Sequence, residues 1–566
     1  MTFSLETGPA VSQTPEPVRE GSPAPEGSGQ GIGKGDYLSI LILCALCLVL
    51  FFFRLGAGPL WDVDEGMHAS TSKDMVLTGD WVTTRVNGEN FYDKTVLFNW
   101  FVSLSFVVFG FTEFAARLPA AVLGLATVLV TYVFGRRWFG SRVGLLGGVI
   151  LVTSPEFIVL SRSVVHDISL VFFITLALYF YYAAFSSQRH RRLNLMLFYA
   201  AAGLAVLAKG PIGLLLPAMI IGLFLLARGR LDFVKEMALG WGALVFLLVA
   251  APWFVLISIR NPDYVSYFFL EQNLGNFLSK SQSRHPRPFY YYVPALLGGM
   301  LPWSFFLPLA FLRSFAGRLR KVDDGVLFLL IWFLAIFLFF SAASSKLETY
   351  ILPAFPAVAL LIGRVWHEAM MALTPRLRRG LAWSLAPLPL LFLAATSYIM
   401  LKHPVIKKMQ LQYGISLYDL YVLWTAITVI LTTAFLLFIY QRYRASFTAL
   451  AATFAIGFLI VIVAYVPVMD PYRSTKALAK EMDRMLPPGE QLVFFWRLRD
   501  SALFYTNRRA TILYTEQQLL DYLASNKRAL CVIEREQYRQ FERVAASSSV
   551  LREEGNKLLI SNKPAG

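Results

Sequence analysis

Long apolar runs separated by short polar segments follow one another from residue 37 to residue 467. A helix that crosses a bilayer needs about 20 mainly apolar residues. The pattern predicts a polytopic α-helical membrane protein with about thirteen spans. The predicted spans are 37–54, 115–135, 142–160, 168–185, 195–208, 211–227, 238–258, 293–312, 325–342, 349–371, 381–401, 418–440 and 446–467.

One further apolar run, VLFNWFVSLSFVVFG at 96–110, is short of the length that a crossing helix needs. It contains Asn99, Trp100 and Ser103, which favours a helix lying in the membrane interface. If this run does not cross, the segment 55–114 is one long loop. The N-terminus then lies on the opposite side of the membrane from that loop.

The pattern changes at both ends of the chain. Residues 1–35 are rich in Pro, Gly, Ser and Glu, which predicts a disordered tail. After residue 468, short strand-like stretches such as QLVFFW and KLLIS alternate with polar helical ones. The predicted organisation is a disordered cytoplasmic tail over 1–35, a transmembrane domain over 36–468 and a small α/β domain over 469–566.

Composition and charge agree with a membrane protein. Hydrophobic residues make up 56% of the chain, charged residues only 16%, and the net charge is +16. The basic residues cluster in every second loop, which by the positive-inside rule is cytoplasmic, so the charge does not indicate nucleic-acid binding. The other loops and the C-terminal domain then face the opposite side of the membrane, which is the periplasm if the cell is Gram-negative. The basic clusters are 135–142, 186–192, 227–230, 313–321, 375–379 and 441–444.

The three cysteines and the first span add little chemistry. Cys44 and Cys47 lie in the first apolar run, and Cys531 is far away, so no disulfide framework is predicted. The first span lacks the cationic start of a cleavable signal peptide, and we expect it to remain as an anchor.

Unusual polar residues gather in the loops of the predicted periplasmic face. Carboxylates beside lipid are costly unless water, a cation or a substrate compensates them. Arginine and lysine at that depth suit a phosphate group, whereas carboxylates suit a metal ion, an amine or a proton transfer. The segments concerned are LWDVDEGMHAS at 60–70, FYDKT at 91–95, SRSVVHD at 161–167, KGP at 209–211, SRHPRPFYYYVP at 283–294 and SSKLETY at 344–350.

Structural roles fit several of the same residues. Asp64 and Glu65 suit the dipole of a helix that follows them, and Asp167 suits a helix N-cap. Lys94 suits an interfacial anchor, and the three tyrosines at 290–292 suit an interfacial aromatic belt. The histidines at 68, 166 and 285 have no recognisable metal-binding spacing. The gathering on one face, rather than any single residue, indicates a functional site.

These segments, in this order and ending with SSKLETYILPAFPAVALL, resemble the polyprenyl-phosphate-dependent GT-C glycosyltransferases. Within that group the chain is most like the aminoarabinose transferases that modify lipid A, which are related to protein O-mannosyltransferases. The resemblance implies an inner-membrane enzyme with a periplasmic active site. Such an enzyme transfers a sugar from undecaprenyl phosphate to lipid A, with inversion at the anomeric carbon. Another sugar, a protein or glycan acceptor, or a flippase for a lipid-linked sugar are the alternatives.

The resemblance also implies roles for particular residues. The catalytic carboxylates map onto Asp64, Glu65 and Asp167. A divalent metal is the one cofactor considered, with Asp93 and His285 as its candidate ligands. The residues that map onto binding of the carrier phosphate are Lys94, Arg284, Arg287, Tyr350, Lys209 and Lys346.

The chain departs from the family pattern at four positions of this region. Thr95 and Val96 stand where two prolines are usual, and Asn99 replaces an aromatic residue. Met67 stands where aminoarabinose transferases commonly have an arginine. These departures concern the surroundings of the carrier and leave the identity of the sugar and of the acceptor open.

Overall fold

A computed structural model describes residues 33–268, 275, 285–315, 322–401 and 416–564. Helices make up most of this part of the chain, and the predicted tail falls almost entirely outside it. The helices up to the first gap are α1 Lys34–Cys47, α2 Asp64–Thr78, α3 Leu97–Phe109, α4 Glu113–Phe139, α5 Ser141–Val152, α6 Pro155–Leu160, α7 Asp167–Ser186, α8 Arg191–Lys209, α9 Ile212–Arg228 and α10 Leu239–Arg260. A hairpin of β1 Arg85–Val86 and β2 Glu89–Asn90 lies between α2 and α3.

The helices between the first gap and the C-terminal sheet complete the bundle. They are α11 Tyr292–Gly299, α12 Leu307–Ser314, α13 Asp324–Ala342, α14 Phe355–Met371, α15 Pro375–Leu385, α16 Pro387–Leu401, α17 Leu417–Ile439, α18 Tyr443–Ile460, α19 Val466–Arg473 and α20 Lys476–Met485. The last crossing helix continues through α19 to Arg473, past the predicted domain boundary at 468.

Among the described residues, ten helices are long and apolar enough to cross a membrane. The predicted span 293–312 is not one straight helix, because the two helices Phe289–Gly299 and Trp303–Ser314 meet at 113°. Two glycines and a proline at 298–302 supply the break. Shorter apolar helices over Leu97–Phe109, Ser141–Val152 and Ile212–Arg228 accompany the long ones. The prediction of a polytopic helical membrane protein is confirmed.

Small residues bring the central helices close together. A Cβ atom on Gly144 of α5 would lie 2.5 Å from the carbonyl oxygen of Tyr132 in α4, and one on Gly363 of α14 would lie 2.9 Å from the amide nitrogen of Gly147. Helices pack at such short distances in membranes only where side chains are absent. This contact fixes α4, α5 and α14 as the centre of the bundle.

The C-terminal residues form a five-stranded mixed sheet with helices beside it. Its strands are β3 Leu492–Phe495, β4 Ala510–Leu513, β5 Leu530–Glu534, β6 Ser549–Glu554 and β7 Lys557–Ser561, in the order β4-β3-β5-β7-β6. The pairs β3–β4 and β3–β5 are parallel, and β5–β7 and β6–β7 are antiparallel. Helices α21 Asp500–Thr506, α22 Glu516–Leu523, α23 Arg535–Gln540 and α24 Glu542–Ser547 connect the strands. The predicted small α/β domain is present.

This domain rests on the long loop 55–112. Asp62 accepts hydrogen bonds from the Ser501 amide at 2.7 Å and from Thr475 Oγ1 at 2.9 Å. Asn87 at the hairpin tip pairs with the backbone of Ala510 in the edge strand β4, through bonds of 2.7 and 2.8 Å. The loop is therefore held between the helical bundle and the C-terminal sheet.

Candidate active site in the long loop

Helix α2 carries the acidic pair and is packed tightly against the C-terminal domain. A Cβ atom on Gly66 would lie 2.3 Å from the amide nitrogen of Ser501, so only glycine fits there. On the other side, Lys73 donates to the carbonyl oxygen of Phe504 at 2.5 Å. These contacts fix the start of α2, where Asp64 and Glu65 lie.

Glu65 is buried in an ion pair with Arg117 of α4. Its two oxygens lie 2.8 and 2.7 Å from Arg117 Nε and Nη2, and they also accept from the amides of Trp61 and Val164. The remaining guanidinium hydrogens are donated to three carbonyl groups between residues 55 and 59. Fully occupied in this way, Glu65 holds the loop to the bundle, and we infer a positioning role for it.

Asp64 has the opposite environment. Its side chain is exposed, and it forms no hydrogen bond or ion pair with the residues that the structure describes. Desolvation by the surrounding protein raises the pKa of its carboxyl group, the ammonium of Lys94 opposes the rise, and the carboxylate of Asp167 adds to it. Asp64 is thus a solvent-accessible carboxylate under the influence of residues from two other segments.

Asp167, at the start of α7, is paired with Lys209 at the end of α8. The Lys209 ammonium lies 2.5 Å from Asp167 Oδ1 and 4.5 Å from the centre of the Tyr350 ring. Thr349 also hydrogen-bonds the Asp167 carboxylate. Three segments far apart in sequence therefore meet at Asp167.

Lys94 completes this group and forms no ion pair shorter than 4 Å within the described chain. Burial and the nearby Lys209 ammonium lower the pKa of Lys94, whereas Asp167, Asp93 and Asp64 act against that decrease. We call Asp64, Lys94, Asp167 and Lys209 the charged cluster. The ammonium groups of Lys94 and Lys209 repel each other, and an anion bound near both would stabilise their charged forms.

The segment before α11 lies beside the cluster and is tied to the segment before Glu348. Lys346 is buried, and it donates to the carbonyl oxygens of Ala343 and, at 3.3 Å, of Arg287. Its backbone amide donates to the carbonyl of His285 at 3.0 Å. Lys346 was predicted to bind phosphate, but the structure engages its ammonium with carbonyl groups.

The aromatic residues at 289–292 differ in their exposure to solvent. Tyr290 is 56% exposed, as an interfacial belt requires, whereas Tyr292 is buried and donates to the Leu347 carbonyl at 3.0 Å. Tyr291 donates to Glu348, and the exposed Arg287 guanidinium lies 5.6 Å from the Tyr291 ring. Arg287 is available to an anion at this edge, and Arg284 lies outside the described residues.

The candidate metal ligands belong to no larger group of metal-binding side chains among the described residues. Asp93 accepts a hydrogen bond from Tyr267 at 2.6 Å, and His285 is exposed. In the described part of the chain, no three His, Cys, Asp or Glu side chains form a group that could hold a metal ion. The divalent metal remains a prediction.

Two further features of the site are not predicted by the sequence patterns. Arg117 lies inside the predicted span 115–135, and an arginine inside such a span commonly marks a buried partner. The histidines at 68 and 166 were considered only as metal ligands, yet they form a buried pair with ring centres 4.4 Å apart.

Comparisons with known proteins agree with this architecture. Residues 93–256 match the family described as dolichyl-phosphate-mannose-protein mannosyltransferase. The structure is similar to the crystal structure of ArnT from Cupriavidus metallidurans bound to undecaprenyl phosphate. The TM-score is 0.78 and the identity 25%, covering 94% of this chain and 99% of the other. The chain has the GT-C glycosyltransferase fold.

Sequence relatives point to the same group. The undecaprenyl phosphate-alpha-4-amino-4-deoxy-L-arabinose arabinosyl transferase of Aeromonas salmonicida (strain A449) is 33% identical over 342 residues, covering 59% of this chain and 61% of the relative. The protein of the same name from Pseudomonas aeruginosa (strain PAO1) is 32% identical over 379 residues, covering 64% and 66%. The matches thus span about three fifths of these relatives. The resemblance recognised in the sequence motifs is confirmed.

Proposed function

We propose that this GT-C protein transfers 4-amino-4-deoxy-L-arabinose from undecaprenyl phosphate to a phosphate group of lipid A. The charged cluster carries the proposal, because it joins two cations suited to a carrier phosphate with carboxylates suited to an acceptor. The similarity to transferases named for this sugar and carrier supports it.

Lys94 and Lys209 are the proposed ligands of the carrier phosphate. The bond between the anomeric carbon and the phosphate oxygen breaks in the reaction, and its electron pair stays on the departing undecaprenyl phosphate. Ammonium groups fixed beside that oxygen stabilise the transition state more than the ground state, because the negative charge increases there. Arg287 and Tyr350 lie at the edges of the same region.

Asp64 is the proposed residue on the acceptor side. An acceptor oxygen attacks the anomeric carbon from the face opposite the leaving phosphate, which inverts the configuration. A lipid A phosphate is already ionised near neutral pH, so Asp64 then mainly orients the acceptor. A hydroxyl acceptor on a protein or glycan requires a base, and Asp64 is the accessible carboxylate for that proton.

The site is proposed to face the periplasm from the inner membrane. The charged cluster and the C-terminal domain lie at one end of the bundle, whereas the basic loops at 135–142 and 186–192 join the opposite helix ends. Basic loops are retained in the cytoplasm. The carrier and acceptor would then both be reached from the periplasmic leaflet.

Transfer by the purified protein tests the proposal. The protein is reconstituted in vesicles with a labelled undecaprenyl-phosphate sugar and lipid A, and the label is followed by chromatography and mass spectrometry. We expect covalent attachment to lipid A by the native protein and its loss in the Asp64→Asn variant. Movement of the donor between leaflets without transfer would instead favour the flippase alternative.

A further inference from the structure

The three segments that supply Asp64, Lys94 and Asp167 meet at two buried histidines. His68 lies one helical turn after Asp64, and His166 directly precedes Asp167. The rings meet edge to face, with centres 4.4 Å apart and planes at 66°. Only 3% of His68 and 1% of His166 is exposed. We call these two residues the histidine pair.

His166 also contacts the third segment. Its Nε2 lies 3.2 Å from the carbonyl oxygen of Thr95, the residue after Lys94. Because a carbonyl oxygen only accepts, this nitrogen carries the ring proton. The ring of Phe98, in the same segment, lies 5.1 Å from the His166 ring. The histidine pair therefore touches the three backbone segments that bear Asp64, Lys94 and Asp167.

We propose that the histidine pair positions Asp64, Lys94 and Asp167 relative to one another, without touching a substrate. The inference rests on the proposed function, since it concerns the geometry of that transfer. His166 precedes Asp167 and bonds the carbonyl of Thr95, the residue after Lys94. His68 follows Asp64 by one helical turn and contacts the His166 ring. We therefore expect displacement of the His166 ring to move both Lys94 and Asp167.

The surroundings of the histidine pair favour two buried rings without charge. The Nδ1 atoms of both rings are buried without a hydrogen-bond partner among the described residues. Burial lowers the pKa of His68 to about 3 and that of His166 well below its usual value, and the Lys94 ammonium acts in the same direction for both. Burial therefore favours the neutral form of both rings.

Two substitutions of His166 separate positioning from bulk packing. His166→Phe keeps a ring but removes the N–H donor, whereas His166→Gln places an amide N–H where Nε2 stood. Thr153→Val is the matched control, because it removes a buried hydrogen bond that Trp303 Nε1 donates to Thr153 Oγ1. The other partners of the Thr153 hydroxyl are the carbonyl groups of Val149 and Ile150, which belong neither to the cluster nor to the histidine pair. Thermal unfolding of each variant establishes that it is folded.

The kinetic result expected is a change in kcat rather than in KM. We expect His166→Phe to lower kcat at least about tenfold, with KM for the donor within about threefold of the native value, since misalignment affects the transition state most. His166→Gln should recover kcat to within about threefold, and Thr153→Val should leave it unchanged. Equal losses in the Phe and Gln variants, or a loss confined to KM, would overturn the proposal.

Hydrogen exchange gives a readout that does not depend on activity. The peptide covering residues 91–99 should exchange faster in His166→Phe and at the native rate in His166→Gln. If the native protein transfers no sugar, the proposed function fails, and the positioning role is judged by this peptide alone. Unchanged exchange in His166→Phe would then refute it.

Discussion

At the residue scale, Asp64 and Glu65 are adjacent but have opposite environments. This contrast indicates a structural role for Glu65 and a chemical role for Asp64. Glu65 is 8% exposed and bound on both oxygens, whereas Asp64 is exposed and unbonded within the described chain. A bound carboxylate stabilises the fold, and a free one is available to a substrate. The two residues should therefore respond differently to substitution.

Removing each carboxylate in turn tests that contrast. Glu65→Ala leaves Arg117 buried without its partner, which should cost about 3–5 kcal/mol of stability. Asp64→Asn should leave thermal unfolding unchanged and reduce transfer by about 10²–10⁴-fold. Unfolding temperature and kcat are measured on the same preparations. A destabilised Asp64→Asn, or a stable and inactive Glu65→Ala, would reverse the assignment.

The pH dependence of kcat/KM should reflect the two shifted groups of the free protein. The raised pKa of Asp64 means that its carboxylate is lost at a higher pH than usual, so the acid limb should lie above about pH 3.9. The lowered pKa of Lys94 means that its charge is lost early, so the alkaline limb should lie below about pH 10.4.

Lys94→Arg is the control for the alkaline limb, because arginine keeps its charge above pH 12. The limb should move out of the accessible range in that variant. An alkaline limb that stays in place would assign it to another group.

At the scale of elements, the C-terminal domain is joined to the candidate site through Asp62. Its carboxylate accepts hydrogen bonds from the Ser501 amide and from the Thr475 hydroxyl. Thr475 directly precedes α20, and Ser501 follows that helix in sequence. The same domain packs on Gly66 in the first turn of α2, which begins two residues after Asp62. The domain therefore fixes the helix on which Asp64 lies.

Asp62→Ala should loosen this attachment. Each donor left unsatisfied in the interface costs about 1–3 kcal/mol. We expect faster proteolytic release of the C-terminal domain near residue 475. The control variant is Asp232→Ala, which changes an exposed carboxylate beside the basic cluster at 227–230. Equal release rates in the two variants would show that the Asp62 contacts do not hold the domain.

Local pattern predicted the elements better than it predicted their pairings. Apolar stretches such as QLVFFW predict four strands of the C-terminal sheet. They do not predict β6, because three of the six residues in its sequence SVLREE are charged. The break near Gly299 was missed because hydropathy does not register a bend. The pairing of Glu65 with Arg117 depends on a contact across 52 residues of sequence, which no local pattern contains.

At the scale of the whole molecule, the proposed transfer requires the charged cluster and the basic loops to lie on opposite sides of the membrane. The helices of the bundle run from the charged cluster at one end to the basic loops at the other. Asp64 can reach a periplasmic acceptor only if the basic loops face the cytoplasm. The substrates proposed here are accessible from one side alone.

Labelling from one side of the membrane tests this requirement most directly. Thr78 at the end of α2 and Arg192 near the start of α8 are both exposed. Each is changed to cysteine in a chain whose three native cysteines are replaced by alanine, and spheroplasts are treated with an impermeant maleimide. We predict that Thr78→Cys reacts in intact spheroplasts and that Arg192→Cys reacts only after lysis. Reaction of both from the same side would contradict the account.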